Sequence, residues 1–153
     1  MFLCEKKYAQ DLLKNARMED CKPSPTPSSL RREDYIPDYM PNPEHYRSIA
    51  GSLQYLTITR PDISFAVNSI CQHMHMPLQG HYNEIKRVLR YIKGTLNYGL
   101  LYQKGSSQIS AFSDADWAGD SHDRRSTGGY CVYIKKHWVL VCQETTYYCK
   151  IIY

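Results

Sequence analysis

Apolar residues recur through the first two thirds of the chain at the three-to-four-residue spacing of amphipathic helices. In CEKKYAQDLLKNARM, Tyr8, Ala9, Leu12, Leu13 and Ala16 fall at helical spacing with good helix formers between them, which predicts one short helix. From Glu44, the residues Tyr46, Ile49, Ala50, Leu53 and Leu56 share a face, and Pro61 marks a stop. RPDISFAVNSICQHM predicts a further helix opened by Pro61 and Asp62, with Ile63, Val67, Ile70, Cys71 and Met74 on one stripe and Pro77 after it. HYNEIKRVLRYIKGT predicts another, with Ile85, Val88, Leu89 and Ile92 inward and Gly94 as the C-terminal stop. Between the first helix and the rest, residues 22–43 hold six prolines, a density that no stable helix or central strand tolerates. That segment is expected to be an extended, mobile linker.

Beyond Gly94 the period changes to two. YGLLYQ and QISAFSDADW are expected to be strands joined at KGSS, and GGYCVYIKKHWVLVCQ offers two more, broken near Lys136 and His137. The closing ETTYYCKIIY is β-prone, so the sheet is expected to be incomplete. The predicted fold class is α+β, a small helical bundle followed by an antiparallel sheet.

Composition narrows this little. The 153 residues are 42% hydrophobic and 22% charged, ordinary for a folded domain and enough for one modest core or two small ones. A net charge of +4 permits an acidic partner without demanding one. Six cysteines, Cys4, Cys21, Cys71, Cys131, Cys142 and Cys149, form no CxxC pair and no zinc spacing. They are expected to be free thiols in a reducing compartment, with no disulfide-linked partner. No apolar run approaches the roughly 20 residues of a membrane span. An intracellular chain without a membrane partner is therefore expected, with cytoplasm and nucleus not distinguished.

Candidate chemistry gathers in three places. On a strand through Ser113–Asp116, Asp114 and Asp116 share a face with Phe112. Two carboxylates so placed can hold a divalent cation, or they are the solvated side of an edge strand. Arg124 and Arg125 in DSHDRRSTGG form either a charged turn or a loop that meets nucleic-acid phosphates. On the last predicted helix Lys86, Arg87, Arg90 and Lys93 lie mostly away from the apolar face, with Glu84 opposing them, as a solvated face or one that tracks a phosphate backbone. His73 and His75 would be splayed about 200° apart on a helix, which disfavours a shared metal. Fourteen tyrosines can stack on bases, yet Tyr46, Tyr55 and Tyr91 fall within helical patterns and are expected to pack. GxSxG, P-loop, HExxH and strand-borne GxGxxG signatures are absent.

Four stretches carry a more specific signal. KYAQDLLKNARMEDCKPSPTP, YRSIAGSLQYLTITRPDISFAVNSICQHM, IKRVLRYIKGTLNYGL and FSDADWAGDSHDRRSTGGYCVYI occur in an order that resembles the Pol polyprotein of copia-type (Ty1/copia) retrotransposons. The resemblance covers about Phe2 to Ile134. It implies a helix from the end of the reverse transcriptase region at 1–21, a Pro-rich linker at 22–43, a helical thumb/connection-like segment at 44–97 and a truncated ribonuclease H-like β segment at 98–153. The sheet is then expected to be ribonuclease H-like. Asp114 matches the first ribonuclease H carboxylate, which in that family helps to bind Mg²⁺ for cleavage of the RNA strand of an RNA/DNA hybrid. Asp116 and Trp117 match the motif without a catalytic role, and Glu144 lies in no matching motif.

The expected function follows from that resemblance and from its departures. The family's polymerase aspartates are expected upstream of Met1 and its further carboxylates beyond the chain, leaving Asp114 as a catalytic and metal residue of an incomplete site. One or two carboxylates hold Mg²⁺ weakly, so tight Mg²⁺ binding is not expected. The chain is expected to be a fragment or degenerate remnant without self-sufficient polymerase or ribonuclease H activity, binding RNA/DNA hybrid weakly through Lys86, Arg87, Arg90, Lys93, Arg124 and Arg125. Two alternatives stay open, a ribonuclease H-type nuclease subunit completed by a partner chain and an inert structural remnant. The strands after Tyr98 are expected to be the less stable part, with exposed apolar surface that invites edge pairing.

Overall fold

A computed structural model describes residues 2–29, 38–101, 109–115, 117, 126–134 and 145–147. The chain divides into two compact units, one of Leu3–Leu100 and one of Leu101–Tyr153 with Met1–Phe2.

In the first unit the helical periodicities fold into a bundle. Helix α1 spans Lys6–Asn15, α2 Pro43–Leu56, α3 Ser64–Gln72 and α4 Gln79–Gly94, with a 3₁₀ turn at Pro61–Ile63 leading into α3. The inward stripes meet in one core that includes Leu12, Tyr46, Leu53, Ile70, Val88 and Leu89. Tyr46 is wholly buried, and its hydroxyl donates to the Ile70 carbonyl at 2.8 Å, which satisfies the one polar group that the ring brings inside.

Helix ends follow local chemistry. Asn42 caps α2 by accepting from the His45 N–H at 3.0 Å, with Pro43 as the first helical residue. The helix ends at Leu56, before the proline expected to stop it. Thr57 and Thr59 turn their hydroxyls back onto the carbonyls of Gln54 and Leu56, competing with the ladder. Helix α1 closes with Arg17 at φ 55°, Arg17 N–H donating to Lys14 O and Met18 N–H to Leu13 O, a left-handed cap that an arginine rather than a glycine occupies. Helix α3 ends at Gln72, so His73 and His75 lie beyond it instead of on opposite helical faces.

A buried cation joins the far ends of α2 and α4. Arg60 is 3% exposed and pairs with Asp62 at 2.7 Å, and its guanidinium also donates to the carbonyl (3.0 Å) and hydroxyl (2.7 Å) of Thr95. Tyr91 and Tyr98 lie under the same group at 5.7 and 5.5 Å. Burial raises the Asp62 carboxyl pKa, and the Arg60 guanidinium more than offsets this, leaving it below the usual carboxylate range. Tyr55, expected to pack inside, is 51% exposed and instead leans on the Tyr8 ring at 5.0 Å.

The proline-rich segment departs from an extended linker wherever it is described. Ser24 N–H donates to the Arg90 carbonyl, and a Cβ at Gly94 would stand 3.0 Å from that of Pro23, so the chain lies against α4. Farther on, Tyr39 bridges to Leu78, and Met40 N–H donates to the Pro77 carbonyl. The described prolines before Pro43 lie in no helix or strand, and the segment leaves carbonyls, hydroxyls and ring surfaces free to dock.

Five strands are described. β1 (Phe2–Leu3) pairs with β2 (Leu100–Leu101), while β3 (Ile109–Ala115) pairs antiparallel with β4 (Ser126–Ile134) and β4 with β5 (Thr145–Tyr147). The strand expected from YGLLYQ is thus short and pairs with the start of the chain, and residues 102–108 lie outside the described set. In the β3–β4 ladder Asp114 stands opposite Gly129 and Phe112 opposite Cys131.

Candidate nucleic-acid interface

A run of four cations grows out of helix α4. Its inward positions, Ile85, Val88, Leu89 and Ile92, are fully buried. The 3.6-residue period that puts them inside leaves Lys86, Arg87, Arg90 and Lys93 off the core. These four are not equivalent. The Lys86 ammonium sits 4.8 Å from the centre of the Tyr82 ring. Arg87 donates from Nη2 to the Thr26 hydroxyl at 2.8 Å, while its Nε is buried without a partner. Arg90 is exposed, and Lys93 lies in the last helical turn, where a cation complements the helix dipole.

Lys86, Arg87 and Arg90 come together on a cleft of about 380 Å³ between α3, α4 and residues Pro27–Ser29. Phe65 and Ser69 of α3 and Asn83 and Glu84 of α4 also line it. Lys93 is not among its walls. Arg124 and Arg125, and with them Asp116, lie outside the described residues. The sequence pattern did not single out Phe65, although the signal was present: the Ile63, Val67, Ile70 stripe fills the inward face of α3 and leaves the ring outside it. It is 67% exposed. Thr26 and its neighbours were missed because a proline-dense stretch carries no periodicity from which docking can be read.

Asp114 occupies a different setting. It is exposed on β3, and its Oδ1 accepts the N–H of the next residue, Ala115, at 2.9 Å. Phe112, two residues back on the same face, is 65% exposed, and Trp117 is 76% exposed. Among the described residues no three His, Cys, Asp or Glu side chains gather where they could hold a metal ion. A hard divalent cation takes six or more oxygens and needs several anionic ligands to be held in place. The described residues around Asp114 do not fit Mg²⁺.

A third polar cluster lies at the start of α4. His81, 7% exposed, accepts the Leu78 N–H on Nδ1 at 3.1 Å and so caps the helix, while its ring stacks on His73 with centroids 3.7 Å apart. Burial, and then the charge that His73 can carry, push the His81 pKa down to about 4. The neutral ring that this favours is the form able to accept at Nδ1. Stacked rings face each other with their π systems and not their lone pairs, so this pair is a cap and not a metal site. Cys4, Cys21 and Cys71 are half-buried thiols. No helix among the described residues is long and apolar enough to cross a membrane.

The relatives of the chain include a mitochondrial protein and transposon polyproteins of plants. It is 49% identical over 136 residues to an uncharacterized mitochondrial protein of Arabidopsis thaliana, an alignment covering 88% of this chain and 57% of that protein. It is 46% identical over 140 residues to the retrovirus-related Pol polyprotein from transposon RE2 of the same plant, covering 90% of this chain and 10% of the polyprotein. With the retrovirus-related Pol polyprotein from transposon TNT 1-94 of Nicotiana tabacum it shares 30% identity over 139 residues, 85% of this chain and 10% of the polyprotein. The chain thus spans just over half of the first relative and about a tenth of the two polyproteins. No family model matches, and no solved structure does. The aligned stretch covers most of the chain in each case, and on that ground the chain belongs to the retrovirus-related Pol polyproteins of copia-type retrotransposons.

Proposed function

We propose that the chain corresponds to the end of the reverse transcriptase region and the opening strands of a ribonuclease H-like sheet, and that it binds RNA/DNA hybrid through the basic face of α4 without cutting it. The observation that carries this reading is the convergence of Lys86, Arg87 and Arg90 on one cleft, with Arg90 exposed. Cations gathered on one face neutralise successive phosphates and release their counterions, which gives affinity without sequence preference. Arg124 and Arg125, which lie outside the described residues, are proposed as further phosphate contacts. No tightly held Mg²⁺ is proposed, because the Asp114 carboxylate by itself offers such an ion too few ligands.

The test is hybrid binding at several salt concentrations by the purified chain and by the triple variant Arg87→Ala, Arg90→Ala, Lys93→Ala. Affinity should fall, and the slope of log affinity against log salt should flatten by about 0.9 for each phosphate that is no longer neutralised. An unchanged slope removes the α4 face from the reading. Hybrid cleavage in Mg²⁺ that disappears in Asp114→Asn would overturn the non-cutting part and favour the alternative, a nuclease subunit completed by a partner chain.

A further inference from the structure

Resting on the reading of α4 as a nucleic-acid face, the cleft beside it points to a narrower ligand. A volume of about 380 Å³ is within the roughly 300–1,000 Å³ range of small-molecule sites. It is large enough for one nucleotide and far too small for a duplex. Its walls combine three features that a nucleotide needs. Phe65 presents a ring that the inward stripe of α3 leaves outside the core. The Arg87 Nε is buried and finds no acceptor within the protein, so the chain satisfies this guanidinium only in part. The bond from its Nη2 to Thr26 meanwhile holds the guanidinium in place. Arg90 adds an exposed cation, and Ser69 and Asn83 add neutral polar groups. Among the described residues, three cations and one carboxylate, Glu84, line the cleft.

We propose that this cleft seats one unstacked nucleotide of a single strand, its base on Phe65 and its phosphodiester on Arg87 and Arg90. Stacking on an aromatic platform beside a basic groove tolerates any base, because every base has a π face. A base inside an intact duplex is already stacked on its neighbours and cannot reach the ring without leaving the helix. The cleft therefore favours single-stranded ends or overhangs, whereas the open basic face accepts duplex and single strand alike.

The experiment measures anisotropy of a dye-labelled oligothymidylate, of its abasic counterpart and of a blunt-ended RNA/DNA hybrid. Each is titrated with the full chain, Phe65→Ala, Phe65→Leu and Arg90→Gln, with thermal melts run alongside. Phe65→Ala should weaken the oligothymidylate roughly 5- to 150-fold, the span of one base stack, while leaving its salt slope and the hybrid affinity unchanged. Phe65→Leu keeps apolar bulk without the ring and should show a smaller loss in the same ligand, which decides the case if Phe65→Ala melts early. The abasic strand should not distinguish these variants, and Arg90→Gln should lower affinity and salt slope for every ligand. If the wild-type chain binds the hybrid but Phe65→Ala weakens neither ligand, or weakens both equally, the nucleotide seat is overturned and the basic face stands. If the wild-type chain binds none of the three, the basic face falls and the seat falls with it.

Discussion

The helical unit and the β3 strand treat apolar side chains in opposite ways. Between α1 and α4 nearly every periodic apolar position is inside, and ten large side chains, Tyr46, Leu53 and Leu89 among them, are below 2% exposure. Along β3 every residue from Ala111 to Ala115 is exposed, Phe112 included. A helix pattern with a 3.6-residue period can be satisfied by three neighbours in the same unit. A strand face needs a covering layer, and these five residues are exposed. The lesson concerns self-sufficiency: the helical unit carries its own core, and β3 leaves open the surface that a further layer would occupy.

The sharpest way to break this contrast is Leu89→Ala. Truncating a fully buried leucine should cost about 2–5 kcal/mol, read as a lower urea midpoint of the helical circular dichroism signal. A cost below about 1 kcal/mol would mean that the bundle core is not packed as described.

The next effect is in pH. The fold depresses the His81 pKa to about 4 from its ordinary value of 6.5, so the unfolded chain binds the extra proton between those values and the folded chain does not. Stability should be complete above about pH 6.5, fall as the pH drops towards 4 and level off below, by at most about 3 kcal/mol from this group. His81→Asn should flatten that stretch of the stability–pH curve, and an unaltered curve would remove the imidazole from it.

Arg60→Gln should cost about 1.5–3 kcal/mol, since it removes charged hydrogen bonds to Asp62 and Thr95 from a buried site. In the same variant the Asp62 carboxyl should titrate at higher pH, because the guanidinium that holds it down is gone, and NMR titration of that carboxyl checks the sign. The smallest effect belongs to β3. Phe112→Ser should leave unfolding within about 0.5 kcal/mol of wild type while reducing self-association at high concentration, measured by light scattering. A large loss of stability would show that Phe112 is covered after all.

Much of the helical unit was legible because its signals are local and redundant. The α2 stripe of Tyr46, Ile49, Ala50, Leu53 and Leu56 is wholly buried, as its spacing requires. Where the reading slipped, side-chain chemistry outweighed the punctuation of proline. The hydroxyls of Thr57 and Thr59 ended α2 before Pro61 could, and Tyr55 stayed out on the Tyr8 ring. The candidate site was legible in its charges and not in its shape. Lys86, Arg87 and Arg90 were read from the helix, but the wall built by Pro27–Ser29 depends on docking between residues about sixty positions apart, such as Arg87 and Thr26, and no periodicity announces this. Asp114 was legible from the resemblance alone, since its spacing to Asp116 fits a solvated edge strand equally well.

One small contact has a topological meaning. Gly99 runs so close to the Leu3 backbone that any side chain there would collide with the Leu3 carbonyl, and the Cys4 thiol donates to the Tyr98 carbonyl beside it. The points where the polypeptide enters and leaves the helical unit are therefore neighbours. A module whose ends meet can be carried within a much longer chain as an excursion from a single point, asking little of what precedes or follows it. Such portability suits a module within an aligned stretch of about 140 residues that makes up a tenth of each transposon polyprotein.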